Sequence, residues 1–443
     1  MTEAVEEIDI LIIGAGPVGL TLHRALAAGG RSSLLIDRQP RQAGLTDPRA
    51  LALTHGARQL LEQIGCWPAK AATPIETIHI GQKDGFGRTL LDRADYGLPA
   101  LGYVLRYRDL AAALGAQVAE GSLLDETEVV DVSVADNASD KNDGVRDAPP
   151  ILPTCQPARR DRPSPLEGEG KRERGAALEG ASPLIPISSR GEGSVGGLTV
   201  TLRRASQTRR IRCKLLVHAE GAPGDGPDIT VADYAQHAVI CEVAPAPGHD
   251  RRAWERFTPD GPLALLPLGE QYSVVFTLPP AKADAVMALD DAAFIAALQS
   301  QFGDRLRLAR PGPRHRFPLA LRQRRHLAQG REVWIGNAAQ TLHPVSGQGF
   351  NLGLRDAWQL AETLLNDDPD LANLPATLQR YAARRQLDRR GGAAFTDGVV
   401  KIFSNHFPPL KFARGLGLLA LDLFPPARHF VAKRMIWGAR AWP

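Results

Sequence analysis

The residues most suggestive of chemistry form a glycine-rich turn near the start of the chain. Gly14, Gly16 and Gly19 follow a short apolar segment and precede a segment with helical periodicity. In a strand–turn–helix unit the first glycine permits a tight turn, the second lets the backbone approach a pyrophosphate, and the third lets the helix pack closely on the strand. The free N–H groups of the helix start favour an anion. The pattern predicts a dinucleotide site, with a purely structural glycine turn as the alternative.

An acidic residue follows at the distance that such a site requires. Asp37 ends a second apolar segment, residues 33–36. At the end of the second strand of a βαβ unit, a carboxylate can accept hydrogen bonds from the ribose hydroxyls of an adenosine. We therefore expect residues 8–37 to hold the adenosine half of a dinucleotide.

A second glycine-rich helix start lies far along the chain. Residues 346–351 read Ser-Gly-Gln-Gly-Phe-Asn and open an apparent helix after an apolar strand and Asn337. Several backbone N–H groups would converge on one anion there. A nicotinamide cofactor has no need for a second anion site, whereas a reduced isoalloxazine carries negative charge at its pyrimidine end. The two starts together predict FAD, with a glycine-rich helix cap as the alternative.

Composition and charge exclude several classes of protein. Of the 443 residues, 44% are apolar and 23% are charged, and the net charge is only +4. These values exclude wholesale disorder, a fibre and a polytopic membrane protein, and they give no sign of nucleic-acid binding. The four cysteines form no CxxC pair and no metal-ligand spacing, so we expect no metal site. The acidic start lacks the features of a secretory leader, which predicts a cytoplasmic protein.

The order of apolar patterns predicts an α/β protein. We expect a discontinuous Rossmann-like FAD-binding domain, an antiparallel-sheet substrate domain and a C-terminal helical extension. Residues 135–197 are rich in Pro, Gly, Ser and charge, which predicts a disordered insertion at the tip of a strand hairpin. The expected boundaries are 1–72, 107–227 and 319–372 for the first domain, 73–106 and 228–318 for the second, and 373–443 for the extension.

Long motifs resemble a known family. The stretches GNAAQTLHPVSGQGFNLGLRD, DPRALALT, ERFTPDGPLALLPL and FSNHFPPLKFARGLGLLALDLFPPAR are similar to those of FAD monooxygenases of the para-hydroxybenzoate-hydroxylase type. The similar branch acts in ubiquinone biosynthesis on 2-polyprenyl-6-methoxyphenol. The resemblance covers nearly the whole chain outside the predicted insertion.

The resemblance implies a role for each matching residue. It places Gly14, Gly16, Gly19 and Asp37 at the ADP half of FAD, and Arg49 and Arg108 along the pyrophosphate or the ring edge. It places Asn337 near the ribityl–pyrophosphate region, and Gly347, Gln348, Gly349 and Asn351 around the isoalloxazine. It brings His343 and Pro344 close to the ring and the substrate, where the His343 imidazole either assists a phenol proton or only packs in its loop.

The sequence departs from the family pattern at two positions. Glu220 stands where the family has Asp in an Ala-Asp-Gly motif, and the Ser and Arg that usually follow are absent. The longer side chain is expected to displace hydrogen bonds and to loosen cofactor or NAD(P)H interactions. Asn337 replaces an Asp of the wider superfamily, but the resembling branch shares this Asn.

The activity that the resemblance implies is hydroxylation of a polyprenyl phenol through a flavin C4a-hydroperoxide, with NAD(P)H as transient reductant. Three alternatives stay open: a sister hydroxylase acting at another ring position, a flavin-dependent prenyl reductase, and a non-catalytic flavoprotein scaffold of a lipid-biosynthesis complex. The tail mixes apolar and basic residues between positions 399 and 440. Such helices lie on a membrane surface, dock on a ubiquinone-biosynthesis complex or simply pack, so peripheral attachment at the inner membrane face is an expectation.

Overall fold

The computed structural model describes residues 6–134, 197–403 and 407–437. The predicted disordered insertion, apart from Gly197, lies outside the described residues. Within those ranges the helices are, in chain order, α1 (Pro17–Ala28), α2 (His55–Gln63), α3 (Tyr107–Gly115), α4 (Pro280–Met287), α5 (Asp291–Phe302), α6 (Gln348–Asp367), α7 (Leu374–Phe403), α8 (Pro408–Leu423) and α9 (Pro425–Trp437).

The described strands fall into three sheets. In chain order they are β1 (Glu6–Ile13), β2 (Leu34–Ile36), β3 (Ala50–Thr54), β4 (Thr73–Ile75), β5 (Thr77–Gln82), β6 (Arg88–Asp92), β7 (Gly102–Arg106), β8 (Leu123–Leu124), β9 (Glu128–Val134), β10 (Leu198–Arg204), β11 (Gln207–His218), β12 (Ile229–Ala246), β13 (Arg252–Thr258), β14 (Gly261–Leu268), β15 (Gln271–Leu278), β16 (Arg307–Pro311), β17 (His315–Arg324), β18 (Ala328–Gln329), β19 (Glu332–Trp334) and β20 (Gln340–Thr341).

The first sheet has a parallel centre. Its order is β18-β19-β11-β1-β2-β8, and β1 pairs in parallel with both β2 and β11. The central strands are apolar on both faces because both faces are covered, as Ile10 and Leu11 show by being fully buried. Helices α1 and α6 pack on one face through a cluster that includes Leu22 of α1 and Leu360 of α6. The hairpin of β9 and β10 extends the sheet beyond β11.

The second sheet is largely antiparallel and has nine strands. Its order is β20-β17-β12-β15-β14-β13-β5-β6, with β16 pairing with β12. Strand β12 pairs with both β15 and β17 along most of its length. Helices α4 and α5 cover one face through a cluster that includes Val239, Phe276, Phe294 and Leu298. Helix α7 and the loop before α6 lie against the other face. There Phe257 of β13 clusters with Val345 of the loop and Val400 of α7.

The expected fold class is confirmed. A Rossmann-like parallel sheet, an antiparallel sheet and C-terminal helices are all present, and β9 and β10 form the predicted hairpin around the insertion. The strands divide differently from the predicted boundaries. Strands β4 and β7, within 73–106, pair with β3 in a separate three-stranded sheet, and β17 continues past residue 318. Both differences arise from long-range pairing, which local patterns do not encode.

Candidate functional site

The strand ends of the parallel sheet bring four predicted or motif residues to one edge. Strands β19, β11, β1 and β2 are neighbours and run in the same direction. Gly14 follows β1, Asp37 follows β2, Glu220 lies just after β11, and Asn337 lies just after β19. Ligands of open α/β sheets bind outside the carboxyl ends of the strands. These residues therefore lie where a dinucleotide would bind.

The glycine turn shows why two of its glycines are required by the fold itself. Gly14 has φ +101°, and a Cβ added there would lie 2.6 Å from the backbone nitrogen of Glu220. A Cβ added at Gly19 would lie 2.0 Å from the carbonyl oxygen of Gly14, because α1 packs directly on the turn. Gly16 differs: its added Cβ would meet only Tyr107 Oη, at an ordinary 3.5 Å. The backbone at Gly16 thus borders space that a ligand can use.

The start of α1 is suited to an anion. Gly16 is the N-cap, Pro17 follows, and within the described chain no side chain caps the helix and no acidic residue lies in its first turn. The N–H groups of the first turn and the partial positive charge of the helix end are thus available to a phosphate.

Asp37 connects the end of β2 to the glycine turn. Its Oδ2 accepts a hydrogen bond from the backbone N–H of Ala15 at 2.6 Å, and its Oδ1 accepts one from Gln39 at 2.8 Å. The side chain is half-buried. Each carboxylate oxygen has a further lone pair, so Asp37 can still accept hydrogen bonds from ribose hydroxyls.

Tyr107 lies between the glycine turn and Arg49. The Arg49 guanidinium is 5.1 Å from the centre of the Tyr107 ring, and Asp47 accepts hydrogen bonds from it, one at 2.9 Å. Hydrogen bonding to Asp47 raises the pKa of Arg49, and burial raises the pKa of Tyr107 to about 12. Arg49 is thus a permanent cation near the predicted pyrophosphate position. Arg108 is exposed, with Nε 3.9 Å from Asp109 Oδ1.

A buried carboxylate holds the turn that carries Asn337. Gly336 has φ +59° and donates its backbone N–H to Asp356 Oδ2 at 3.1 Å. Asp356 is fully buried on α6 and also accepts a 2.7 Å hydrogen bond from Arg385 Nε. Asn337 itself is exposed between the buried Gly336 and Ala338. Its amide is therefore free to face a ligand, while its backbone is fixed from below.

The second helix start is also uncapped. Gly347 is the N-cap of α6, with φ +62°, and within the described residues α6 has no side-chain cap and no acidic residue in its first turn. A Cβ added at Gly347 would lie 3.1 Å from Ala52 Cβ, whereas one at Gly349 would have only an ordinary contact at 3.8 Å. Gln348 donates a hydrogen bond to the carbonyl of Met435 on α9, so its side chain contacts the tail.

Asn351 fixes α6 rather than offering a free amide. Its Nδ2 donates to the carbonyls of Ala52 and Gly347 at 2.8 and 2.7 Å, and its Oδ1 accepts from the Thr54 N–H at 2.9 Å. The residue is only 1% exposed. All of its hydrogen-bonding groups contact protein, so it positions the helix start next to β3.

His343 is a buried, neutral imidazole. Its Nδ1 accepts from the Val345 N–H at 3.1 Å, and its Nε2 lies 3.2 Å from Gln236 Oε1. The Gln236 amide in turn donates to the Asp260 carbonyl, which makes His343 Nε2 the donor. Burial lowers the pKa of His343 to about 4. This geometry favours the packing alternative. The half-buried Pro344 forms the following turn, its carbonyl accepting from Gly347.

Glu220 turns back toward its own strand. Its Oε1 lies 3.1 Å from His218 Nδ1, and His218 Nε2 lies 2.9 Å from Glu332 Oε2. Burial favours the neutral imidazole, but the two carboxylates outweigh it and raise the pKa of His218 to about 9. The imidazolium also stacks on Trp334, with ring centres 4.8 Å apart. The longer side chain of Glu220 therefore forms an ion pair with His218 beside the glycine turn.

These features fit FAD. Two uncapped helix starts, the open space beside Gly16, the exposed Asn337 and the cation at Arg49 supply the donors that a pyrophosphate and a reduced flavin need. Among the described residues no group of His, Cys, Asp and Glu could hold a metal ion, and no helix is long and apolar enough to cross a membrane.

Sequence reasoning missed three residues at this edge. Tyr107, the neighbour of the predicted Arg108, meets the glycine turn. Asp356 anchors Gly336, and His218 pairs with Glu220. Tyr107 and Asp356 lie next to or within predicted motifs, but only the packing shows which side chain of each motif faces the site. His218 lies two residues before Glu220, and the unusual glutamate at that position was the signal that could have identified His218.

Sequence comparison places the chain among known proteins. The profile of the FAD binding domain family matches residues 7–126 and 194–387. The chain is 30% identical over 451 residues to ubiquinone hydroxylase UbiL of Rhodospirillum rubrum, covering 98% of this chain and 91% of that protein. It is 28% identical over 453 residues to ubiquinone hydroxylase UbiM of Neisseria meningitidis, covering 96% and 84%.

Solved structures share the fold. The p-nitrophenol 4-monooxygenase PnpA of Pseudomonas putida superposes with a TM-score of 0.65 at 13% identity, covering 98% of each chain. The R204Q variant of HpxO from Klebsiella pneumoniae, complexed with FAD, also gives 0.65, at 15% identity, covering 98% of this chain and 99% of that one. At this identity the likeness establishes the architecture.

Proposed function

The chain belongs to the family of FAD-dependent hydroxylases of ubiquinone biosynthesis, and from that membership we propose that it hydroxylates the aromatic ring of a polyprenyl-methoxyphenol. The observation that carries the proposal is the contact between the N-terminal ends of two uncapped helices beside Asn337: added Cβ atoms at Gly353 on α6 and at Gly336 would each lie 3.0 Å from Val18 on α1. The methoxyphenol substrate is proposed from the long motifs in the sequence.

Each part of the site has a role in this proposal. The start of α1 and Asp37 hold the ADP half, with Arg49 at the pyrophosphate. Asn337 holds the ribityl region, and the start of α6 lies at the isoalloxazine. The partial positive charge of that helix start would favour negative charge on a group held there by about 1 kcal/mol. His343 and Asn351 act indirectly, since their hydrogen bonds fix the loop and the helix.

FAD, when bound, supplies the redox chemistry that activates molecular oxygen for insertion into the ring. The protein binds and orients the phenol and excludes water from it. Insertion of one oxygen atom, with reduction of the other to water, needs two electrons beyond those from the ring. We therefore propose NAD(P)H as the transient electron donor.

The test is turnover of a short-chain prenyl-methoxyphenol by the purified FAD-loaded protein with NAD(P)H and ¹⁸O₂. Mass spectrometry should show one ¹⁸O atom in the product, and NMR gives its ring position. Oxygen at another position, or in another phenol only, supports the sister hydroxylase. A product that gains two hydrogens and no oxygen identifies a prenyl reductase. NAD(P)H oxidation that no phenol accelerates favours the scaffold and contradicts the proposal.

We also propose that α8 attaches the protein to the surface of an anionic membrane. Its side chains Phe412, Leu416, Leu419 and Leu423 recur at helical spacing and are all exposed, by 38 to 73%. An apolar stripe that faces solvent marks an interaction surface. Phe424 and Phe430, which follow in the chain, are also exposed, and Arg434 lies over the Phe430 ring. Lys433 and Arg434 on α9 are exposed and add positive charge next to these apolar side chains, which suits anionic lipid. A membrane is also where a polyprenyl phenol dissolves.

Flotation with liposomes tests this attachment. The intact protein should float with anionic vesicles, and a variant with serine at residues 412, 416 and 423 should not. Leu387→Ser is the matched control, because it removes a leucine on α7 that is 66% exposed. Floating of the stripe variant, or failure of the intact protein to float, contradicts the proposal. In the latter case, retention by a partner protein would favour docking on a complex.

A further inference from the structure

The two faces of the nine-stranded sheet differ in how completely they are covered. On the face under α4 and α5, Val239, Val274 and Leu263 are fully buried. Their neighbours along the same strands, Ile240 and Val275, point to the opposite face and are only half-buried. The opposite face therefore borders open space at its centre.

That space is bordered by one cross-strand row of side chains. Ile240 pairs with Val275, Val275 with Ala264, Ala264 with Glu255, and Glu255 with Ile80. Residues directly opposite each other in a sheet share a face, so these five form a continuous row, and all five are half-buried. Four of them are apolar. Glu255 is the single ionisable side chain among these five. The row continues past Ile240 to the half-buried His315 on β17, four strands along the sheet from Glu255.

The row lies between two packed clusters that involve the candidate flavin site. Ala253, two residues before Glu255 and on the same face, belongs to a cluster with Val104 of β7. Phe257, two residues after it, packs on Val345, which lies between His343 and Gly347. Glu255 thus faces the region where the sheet meets the loop before α6.

The Glu255 carboxyl has an unused acceptor in this region. Its Oε1 is shielded from solvent and, among the described residues, has no hydrogen-bond partner. Burial raises the pKa of Glu255 to about 7. A buried acceptor normally finds a partner, so an unpaired one beside an apolar opening points to a ligand that carries a donor.

The other titratable groups on this face are paired, neutral or several strands away from Glu255. Glu242 on β12 accepts hydrogen bonds from Arg106 at 2.9 and 2.7 Å, and His315 lies four strands along the sheet. His343 is neutral, with its pKa lowered to about 4, and Tyr234 beside it is neutral, with its pKa raised to about 12. Asp397 on α7 pairs with Lys401. On α8, Arg414 donates to the Phe403 carbonyl. The strands on either side, β5 and β14, contribute only Ile80 and Ala264 beside it.

We propose that Glu255 is a catalytic residue that accepts the hydroxyl proton of the phenol substrate, whose ring lies against the apolar row. The inference rests on the proposed function and adds the proton acceptor to it. The phenol O–H bond breaks, the proton moves to Glu255 Oε1, and the electron pair stays on oxygen and is delocalised into the ring. The ring carbons ortho and para to that oxygen become more nucleophilic toward the oxygen atom supplied by the flavin chemistry. The proton then returns to solvent.

Glu255→Gln tests this role because it keeps the side chain's shape and removes the base. In the wild type kcat should rise with pH through about 7, as the carboxylate forms. The variant should bind FAD and phenol but lose about 10²–10⁴ in kcat, as is typical of general bases. Its residual rate should keep rising toward pH ~10, where the phenol ionises by itself. Glu270→Gln, which changes an exposed turn between β14 and β15, is the control for charge.

A more acidic phenol separates a chemical role from a structural one. With a ring-fluorinated methoxyphenol that is ionised in solution at the assay pH, the ratio of wild-type to variant kcat should fall toward one. Failure of this rescue overturns the inference, as does a variant with the wild-type rate and pH profile. Binding of the fluorinated phenol to both proteins, followed by its ultraviolet difference spectrum, verifies that the variant site is intact. If the wild type hydroxylates no phenol, the proposed function itself fails.

Discussion

Glu220 Oε1 lies 3.1 Å from His218 Nδ1, at the edge where the parallel sheet meets the glycine turn. A Cβ at Gly14 would lie 2.6 Å from the Glu220 nitrogen, so the ion pair and the turn share one piece of backbone. A shorter aspartate carboxylate reaches less far toward the imidazole. The glutamate that departs from the family pattern at position 220 thus has an ion-pair partner in this chain, His218.

Glu220→Gln should make the protein less stable and less sensitive to alkali. The pKa of His218 is raised from 6.5 to about 9 in the folded state. Its contribution to stability is therefore fully present below pH 6.5 and is lost as the pH rises through 9. The substitution should cost about 1–2 kcal/mol at pH 6, as judged from pKa linkage, and flatten the loss between pH 6.5 and 9. Urea unfolding across this range measures both, and parallel curves for the two proteins would contradict the prediction.

Substitution of two neighbouring glycines should separate folding from cofactor binding. Gly19→Ala places a Cβ 2.0 Å from the Gly14 oxygen, so α1 must move and the apoprotein should lose at least ~2 kcal/mol. Gly16→Ala meets only an ordinary 3.5 Å contact at φ −70°, so the apoprotein should unfold normally while FAD binds more weakly. Denaturant unfolding and FAD fluorescence distinguish the two effects. Equal FAD affinity in wild type and Gly16→Ala would argue against a phosphate at this turn.

Asp356→Asn should be among the most destabilising single changes at the site. The carboxylate is fully buried and accepts from both Gly336 and Arg385, so its loss leaves a buried cation less fully paired. Breaking such a pair costs about 3–5 kcal/mol. Glu62→Gln, which removes the surface pair with Arg58 on α2, is the control and should cost less than ~0.5 kcal/mol. If both variants lost a similar free energy of unfolding, the buried Asp356 pair would contribute no more to stability than a surface pair.

His343→Asn should leave the pH profile of turnover unchanged. The imidazole is neutral throughout the neutral range, because its pKa is lowered to about 4. The effect of His343 on stability has the opposite pH dependence to that of His218. His343 takes up a proton more readily in the unfolded chain, so the free energy of unfolding decreases as the pH falls from 6.5 toward 4. The variant should therefore show a shallower loss of stability in acid. A shifted rate profile with preserved stability would instead return His343 to the proton-transfer step.

The sequence by itself determined the elements whose signals are local. The glycine turn between β1 and α1, the acidic end of β2, the second glycine-rich start at α6, and the hairpin of β9 and β10 are readable because steric limits on glycine and alternation along a strand act over a few residues. Those patterns, with the motif resemblance, were enough to predict FAD and the fold class.

Only the tertiary structure decided which side chains face the site. Asn351 and His343 lie within the family motif, yet their polar groups form hydrogen bonds with Ala52, Val345 and other parts of the protein. Tyr107, to which the sequence assigned no role, lies beside the glycine turn, and Glu255 becomes notable only through its cross-strand row. The reason is physical. Backbone conformation follows mainly from neighbours in sequence, whereas burial, pKa and hydrogen-bond partners depend on segments hundreds of residues apart that meet only when the chain packs.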